Sequence, residues 1–357
     1  MGASAGGLEA LQSFFARLPP HTGLAFVLVP HLSPQRPSMM ADLLARSTAM
    51  EVCEATDRVA LEGNCVYVAP PGAELVLSGT QLRVRRVGAS GHPSRPVDTF
   101  LQSLAAEQGE DAIGIIFSGT GTDGTLGFRA IKEHGGLTLV QDARSAQHAG
   151  MPHSAIASGL ADYVRPVDGL ARVLVDLVGR SGSRRGEGAR GPAGDIVTHL
   201  PTIFSLLSVV TGHQFGRYRQ PTIIRHVHRH MRQLGIGRAA DYVARLRQDE
   251  EEVRALFRAL LIGVTHFFRD PESFTALASK GIAPLLSGRG EETPLRVWVP
   301  GCSSGEEAYS IAMLIDEQMA ATGRRLPMQI FASDIDEGQL KRGRAAIYPT
   351  SIAADVG

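Results

Sequence analysis

The sequence predicts an α/β protein: a doubly wound, mostly parallel sheet first, then an all-α subdomain, then the start of a second α/β domain. Three observations carry this reading. From Gly6 to about Pro166, short apolar runs alternate with amphipathic segments, as in consecutive βαβ units. From Ile196 to about Leu286 the apolar spacing stays near the helical period with no strand pattern between. From Pro294 the strand and helix alternation returns, with a glycine-containing turn inside it.

Taken in order, "MGASAGGLEAL" opens with a small-residue turn that feeds the helix "LEALQSFFARL", whose Leu8, Leu11, Phe15 and Leu18 share one face. In a doubly wound sheet the strand before such a turn lies near the middle. Only Met1, Gly2 and Ala3 precede Ser4, so this first strand is expected to be missing. Leu24 to Pro30, Cys65 to Pro70, Ala112 to Gly119 and Leu137 to Asp142 are uniformly apolar enough for strands buried on both faces. "AELVLSGTQLRVRRV" reads as a hairpin turning at Ser78-Gly79-Thr80.

The amphipathic "VDGLARVLVDLVGR" gives way at Ser181 to Asp195 to glycine, serine, proline and charge, the composition of a linker. Three helical segments follow: "THLPTIFSLLSVVTG", "PTIIRHVHRHMRQLG" and "AADYVARLRQDEEEVRALFRALLIG". "LRVWVPGCSSGEEAYSIAMLIDEQM" and "MQIFASDIDEGQLKRGR" then read as strand, turn, helix, strand, helix. The expected plan is residues 1–178, a linker at 179–195, a helical domain at 196–286, and a last domain at 287–357.

The totals exclude several classes. The 357 residues are 43% hydrophobic and 20% charged, which suits two or three domains with cores rather than a disordered chain. Lys plus Arg equals Asp plus Glu at 36 each, so no global field favours nucleic acid or membrane. Cys53, Cys65 and Cys302 have no paired spacing, which argues against a disulfide framework or zinc knuckle and fits a reducing cytosol. No apolar run approaches the ~20 residues that cross a bilayer. A cytoplasmic protein with no membrane insertion and no nucleic-acid partner is expected.

Gly2-Ala3-Ser4-Ala5-Gly6 fits a G-x-S-x-G elbow, where small neighbours leave a serine oxygen exposed at a sharp strand-to-helix turn. A serine hydroxyl needs a general base, and that base needs an orienting carboxylate. His31 and Asp123 each follow a strand, at the edge where open α/β sheets place their sites. Singly, each residue also has a structural use: a tight turn, a solvated loop, a helix cap.

"GASAGGLEAL", "VLVPHLSPQRPSMMADLLARST", "VYVAPPG" and "IIFSGTGTDGTLGFRAIKEHGG", with "VQDARSAQHAGMPHSAIASGLADYV", closely resemble the catalytic domain of the chemotaxis protein-glutamate methylesterase, CheB, over residues 1 to about 178. The resemblance implies a Ser4, His31, Asp123 triad, without a cofactor, that hydrolyses glutamate γ-methyl esters on chemoreceptor helices and in some relatives deamidates glutamine. Backbone N–H groups at the Ser4 turn or at Gly119 to Gly121 are the candidate oxyanion donors. Thr120 stands where family members usually have methionine. These 357 residues leave no room for the receiver domain that precedes many such esterases, so direct control of this chain by phosphorylation is not expected.

The Gly301 to Gly305 turn enters a helix as nucleotide-binding turns do, and Asp334 ends the next strand, where an acid can accept from ribose hydroxyls or simply cap a helix. These residues, with "LLIGVTHFFRDPESF" and "PTIIRHVHRHMRQLG", resemble the chemotaxis receptor methyltransferase, CheR, from about residue 196 to 357. The resemblance implies a Rossmann-like domain using S-adenosylmethionine, with Thr265, Arg269, Gly301, Gly305, Glu306, Glu307 and Asp334 at the cofactor. Gly263 stands where that family commonly has asparagine. Two recognisable strands are fewer than the family's sheet, so no methyl transfer by this chain alone is expected.

The helix "PTIIRHVHRHMRQLG" carries Arg225, Arg229 and Arg232 with His226, His228 and His230. His226 and His230 are one turn apart, a metal-like spacing. The favoured reading is a solvated basic face that meets acidic receptor helices; no metal is expected. The leading expectation is therefore a fused methylesterase and methyltransferase of bacterial chemosensory signalling, with an idle scaffold or a general serine esterase as alternatives.

Overall fold

The computed structural model describes residues 1–31, 38–86, 95–182, 192–216, 218, 220–261, 263, 265–288 and 294–356. The chain divides into two units, Met1–Leu260 and Leu261–Gly357.

The first unit is built on a seven-stranded, wholly parallel sheet. Along the chain, β1 (Gly2–Ala3) leads through α1 (Gly7–Phe15) to β2 (Phe26–Pro30), and α2 (Met40–Ala45) to β3 (Glu51–Glu54). A three-stranded antiparallel sheet follows from β4 (Val59–Ala60), β6 (Ala73–Ser78) and β7 (Gln81–Arg86), while β5 (Cys65–Val68) rejoins the main sheet. Then come α3 (Pro96–Gln108), β8 (Ile113–Ile116), α4 (Thr125–Glu133), β9 (Leu137–Gln141), α5 (Gly150–Ala157), β10 (Tyr163–Arg165) and α6 (Val167–Gly182). The strand order is β10-β9-β8-β1-β2-β5-β3. The chain leaves β1 toward β2 on one side and returns at β8 on the other, so β1 stands at the topological switch point.

The apolar runs become strands because helices cover both faces of the sheet. Leu11, Phe14 and Phe15 of α1, with Leu170, Leu174 and Leu177 of α6, bury one face against Phe26, Leu28, Ile115 and Phe117. Val97, Phe100 and Leu101 of α3, with Phe128 and Ile131 of α4, bury the other against Val27, Val29, Ile116 and Val140. The hairpin turns at Gly79-Thr80, with Ser78 opposite Gln81 and Gly79 at φ 60°. Its Leu75, Leu77 and Leu82 join the α3 face.

Several expectations are corrected. The strand expected to be missing is present over two residues, paired with β2 (Ala3 opposite Pro30) and β8 (Gly2 opposite Ile116). The Met1 amino group donates to Val27 O at 2.6 Å and Val29 N donates to Met1 O, which extends this pairing by a residue. β3 and β10 lie at the sheet edges, where half-exposed side chains gave no apolar run to read. The linker is shorter than its composition implies, since α6 runs to Gly182 and α7 begins at Pro192; residues 183–191 lie outside the described residues.

Helices α7 (Pro192–Thr211), α8 (Gln220–Leu234), α9 (Ala239–Gln248) and α10 (Glu250–Leu260) share one core that includes Ile203, Leu207, Val227, Tyr242 and Leu256. The single helix expected over 239–263 breaks at Asp249, whose backbone is extended and whose Oδ1 accepts from Glu251 N and Glu252 N as an N-cap. Gln233 of α8 donates to Asp162, at the start of β10, at 3.3 Å.

In the second unit, α11 (Pro271–Ala276), a π-helical turn (Leu277–Ile282) and α12 (Ala283–Ser287) precede β11 (Leu295–Pro300), α13 (Glu306–Ala321), β12 (Met328–Ser333) and α14 (Glu337–Ala345). Ile282 and Leu286 pack with Leu295, Leu314 and Ile315. That shared core lies within the Leu261–Gly357 unit. β11 and β12 pair in parallel, Val299 opposite Ala332.

Phe14 is fully buried and meets both Phe15 and Phe117 edge-on, at 5.6 and 5.2 Å between centroids. Phe14→Ala is expected to destabilise the first unit by about 3–5 kcal/mol, read as a lower urea midpoint for the transition that reports on the parallel sheet.

Candidate functional site

The register of β1 sets the geometry. Ala3 pairs with Pro30 and His31 N donates to Ala3 O, so Ser4 and His31 leave adjacent parallel strands side by side. Alternation along the strands sends both toward the α3 face, because Ala3 and Leu28 pack on the α1 face while Val27 and Val29 pack on the α3 face. On the opposite flank of β1, the loop after β8 carries Asp123. The His31 ring meets it directly, Nε2 to Oδ2 at 2.6 Å. This contact joins the two strands that flank β1, so it spans the end of the strand that presents Ser4. No hydrogen bond joins Ser4 Oγ to His31 among the described residues; Ser4 is half-buried and the His31 side chain is 28% exposed.

Close packing holds the loops at this edge. Ser4 N donates to Ser118 O at 3.0 Å, and a Cβ at Gly119 would stand 2.9 Å from Ser4 Cβ and collide with Met151 Sδ. Glycine is therefore required at 119. Gly6, at φ 69°, turns the chain from β1 into α1 in the left-handed region. Ser118 ties three segments: its Oγ donates to Ala5 O and accepts from His148 N, both at 2.9 Å, while its N donates to Gln141 Oε1. Nothing in the sequence distinguished Ser118 from its neighbours.

Asp123 is buried and fully engaged. Besides His31, its Oδ2 accepts from Val97 N at 3.0 Å and its Oδ1 from Asp98 N at 2.8 Å and Gly124 N at 2.9 Å. Burial works to raise its pKa, but the bonds from His31, Asp98 N and Val97 N outweigh it and hold the carboxyl below its ordinary value. Asp98, also buried, has the opposite fate. Burial, then the charge of Asp123, pushes its carboxyl up to about 7. Sequence reasoning missed Asp98; its one signal was an acid in the first turn of an amphipathic helix, which commonly marks only a favourable dipole position.

Of the candidate oxyanion donors, Ser4 N is committed to Ser118 O and Gly119 N to His148 O. Thr120 N and Gly121 N have no acceptor among the described residues, and both residues are exposed at the same edge.

In the second unit a cleft of about 410 Å³ gathers Thr265, Arg269, Gly301 and Glu307, with His266, Ser303 and others. Gly305, Glu306 and Asp334 do not line it. Gly305 sits at φ 96° with Tyr309, Tyr348 and Gly343 against it, so it serves the tight entry into α13. Glu306 accepts from Ser304 Oγ. Asp334 accepts from Ser303 N at 2.7 Å and Asp336 N at 2.8 Å, bracing the turn. A side chain at Gly263 would meet the Gln339 amide, 2.6 Å from its Nε2, so Gln339 fills the space left by glycine.

The basic helix α8 is less solvated than expected. His226 is buried, and His228, Arg229, His230 and Arg232 are half-buried, because the helix packs into the four-helix core; the Arg225 side chain lies outside the described residues. His230 Nε2 meets buried Glu252 at 2.8 Å, and Glu252 also accepts from Tyr242 OH at 3.3 Å.

Known proteins resemble this chain in sequence. The family profile for CheB methylesterase matches residues 1–174, that for the CheR methyltransferase all-alpha domain matches 198–261, and that for the CheR SAM binding domain matches 263–357. The chain is 35% identical over 186 residues to a protein-glutamate methylesterase/protein-glutamine glutaminase of Geobacillus kaustophilus, covering 50% of this chain and 53% of that protein. It is 33% identical over 178 residues to a Leptospira interrogans protein provisionally named for the same two activities, covering 50% of this chain and 92% of that one. An uncharacterised 104.1 kDa protein of Rhodobacter capsulatus is 36% identical over 341 residues, 89% of this chain. The chain spans only 35% of that relative's length. Among solved structures, the Thermotoga maritima CheB methylesterase catalytic domain aligns at 29% identity and a TM-score of 0.46, over 49% of this chain and 95% of that one. Among the described residues no helix is long and apolar enough to cross a membrane.

The raised Asp98 pKa has a sign that can be measured. Between about pH 4 and 7 the folded state keeps a proton that the unfolded state has released, so the contribution of this group to stability falls as pH rises. The Tm of Asp98→Asn minus that of the wild type is expected to increase from pH 5 to pH 8; a flat difference would contradict the buried, raised carboxyl.

Proposed function

We propose, from the premise that this chain belongs to the CheB methylesterase family through residues 1–174 and carries both CheR domains after them, that it hydrolyses glutamate γ-methyl esters on chemoreceptors in bacterial chemotaxis. The observation that carries the reading is the 2.6 Å bond between His31 and Asp123, spanning the end of the strand that presents Ser4.

In this mechanism Ser4 Oγ attacks the ester carbonyl while His31 takes its proton. With Nε2 on Asp123, Nδ1 is the ring nitrogen left for that proton. Asp123 fixes the ring and stabilises the imidazolium, a task suited to a carboxylate held ionised by backbone donors. Thr120 N and Gly121 N are the donors for the tetrahedral oxyanion. Its collapse breaks the bond to the methoxy oxygen, His31 returns the proton, and methanol leaves. Water, deprotonated by His31, then attacks the acyl-Ser4 ester and releases glutamate and the free serine. The same steps acting on glutamine would release ammonia.

For the second unit, the residues lining the cleft fit S-adenosylmethionine. The Arg269 guanidinium suits its carboxylate, Glu307 suits its ammonium, and Gly301, with nothing within 4 Å of a Cβ position, leaves room for the ligand. When bound, this group supplies a methyl group activated by a sulfonium. Thr265 and Ser303 add hydroxyls at the same cleft. One chain would thus bring together a site for removing methyl esters and a site for the methyl donor that makes them.

A fluorophosphonate probe is expected to label the wild type and not Ser4→Ala. Methanol release from a methylated receptor fragment should fall by about 10⁴ in Asp123→Asn. Labelling that survives Ser4→Ala, or methanol release untouched by it, rejects the triad. Turnover of small p-nitrophenyl esters without any on the methylated receptor would favour a general esterase instead.

For the cofactor cleft, calorimetric titration with S-adenosylhomocysteine is expected to show binding that Arg269→Ala weakens about tenfold or more. Equal binding by the variant would remove Arg269 from the contact set.

A further inference from the structure

We infer that Asp98 is a positioning residue of the hydrolytic site: by exchanging helix caps with Asp123 across the N-termini of α3 and α4, it fixes the carboxylate that orients His31. The inference rests on the methylesterase reading and names a residue which that reading does not use.

The exchange is reciprocal. Asp123 stands just ahead of Gly124, the N-cap of α4, yet its carboxylate accepts from Val97 N and Asp98 N, in the first turn of α3. Asp98 belongs to α3, yet its Oδ1 accepts from Gly124 N at 2.9 Å and Gly127 N at 2.8 Å, at the start of α4. Each acid therefore satisfies donors that the other helix leaves open. Gly124 N donates to both Oδ1 atoms, so the two carboxyl groups converge on one hydrogen. Asp123 Oδ2 receives Val97 N and His31 Nε2 together. The oxygen that holds the imidazole is thus located by α3, and α3 is held to α4 through Asp98.

The surrounding packing leaves little freedom to replace this tie. A Cβ at Gly127 would reach 2.5 Å from Leu101 Cβ, and one at Gly124 would reach 2.8 Å from Ile116 Cδ1 and 3.0 Å from Val97 Cγ1. The two helices approach as closely as glycine permits. Any sideways shift of α4 would carry Asp123 with it.

Among the described residues, three charged or titratable groups face or adjoin Asp98. Asp123 comes from the loop after β8, His31 sits beyond it after β2, and Arg95, just ahead of α3, lies 3.4 Å from Asp98 Oδ2. The first turn of α4, Thr125-Leu126-Gly127-Phe128, has no ionisable side chain. Burial and the Asp123 charge raise Asp98 toward neutrality, so the pair tends to carry a single negative charge, and that charge resides on Asp123.

The test uses the full chain. Asp98→Ala removes the tie; Asp98→Glu keeps a carboxyl but displaces it by a methylene, and guards against an alanine variant that fails to fold. Both are expected to lower kcat for methanol release by about 10- to 100-fold with KM within about twofold, because the loss is one of alignment. Asp98→Asn keeps an oxygen for Gly124 N and Gly127 N and should restore kcat to within about fivefold of wild type. A second readout needs no turnover: the low-field proton resonance of the His31 N–H bonded to Asp123, present in wild type and Asp98→Asn, should be lost or broadened in Asp98→Ala. Wild-type kcat and an intact resonance in both Asp98→Ala and Asp98→Glu would overturn the assignment, as would an asparagine variant as impaired as alanine. If the wild type itself releases no methanol, the esterase reading fails while the resonance still decides the role of Asp98.

Discussion

A buried carboxylate can stay ionised only where donors replace the water it has lost, and at Asp123 that replacement comes from three backbone N–H groups and one imidazole. The rest of the first unit is arranged around supplying them. β8 must deliver the loop that carries Asp123, α3 must begin where its first turn can reach that loop, and β2 must end beside it with His31. All three conditions follow from β1 lying at the switch point between strands that run outward in both directions. The helix faces that bury the sheet also position these termini, so packing and site geometry have a common origin.

Much of this was legible in the sequence, for identifiable reasons. β2 and β9 are buried on both faces, so their residues are apolar without alternation, and the two-residue turn of the hairpin is marked by Gly79. His31 and Asp123 could be singled out because each lies after such a run, and Ser4 because of the small-residue turn around it. What escaped has equally physical causes. Edge strand β3 is half-exposed and bounded by Glu51 and Glu54, so it lacks the signature of a buried strand. Asp98 and Ser118 act through backbone groups distant in sequence, and local pattern carries no trace of those partners. The break at Asp249 depends on one side chain capping the next helix, within a segment whose apolar period continues through it.

In the second unit, one strand-end acid is tied to the backbone of its own turn. Asp334 stands at a strand end as expected, but both of its oxygens are engaged by backbone N–H groups of the turn it faces. Asp334 braces the loop between β11 and α13, and the side chains lining the cleft include those of Thr265, Arg269 and Glu307. Similarly, the absence of a side chain at Gly263 does not leave a hole, because Gln339 from α14 occupies the space. Position in a motif predicts location better than it predicts hydrogen-bond partners.

The partial exposure of Ser4 and His31 at the sheet edge has a consequence for recognition. On the proposed reading, a nucleophile that is half-buried among the described residues is reached by a group that stands proud of its own surface on a flexible arm. On that reading, selectivity draws on the protein surface around the rim as well as on the reacting group.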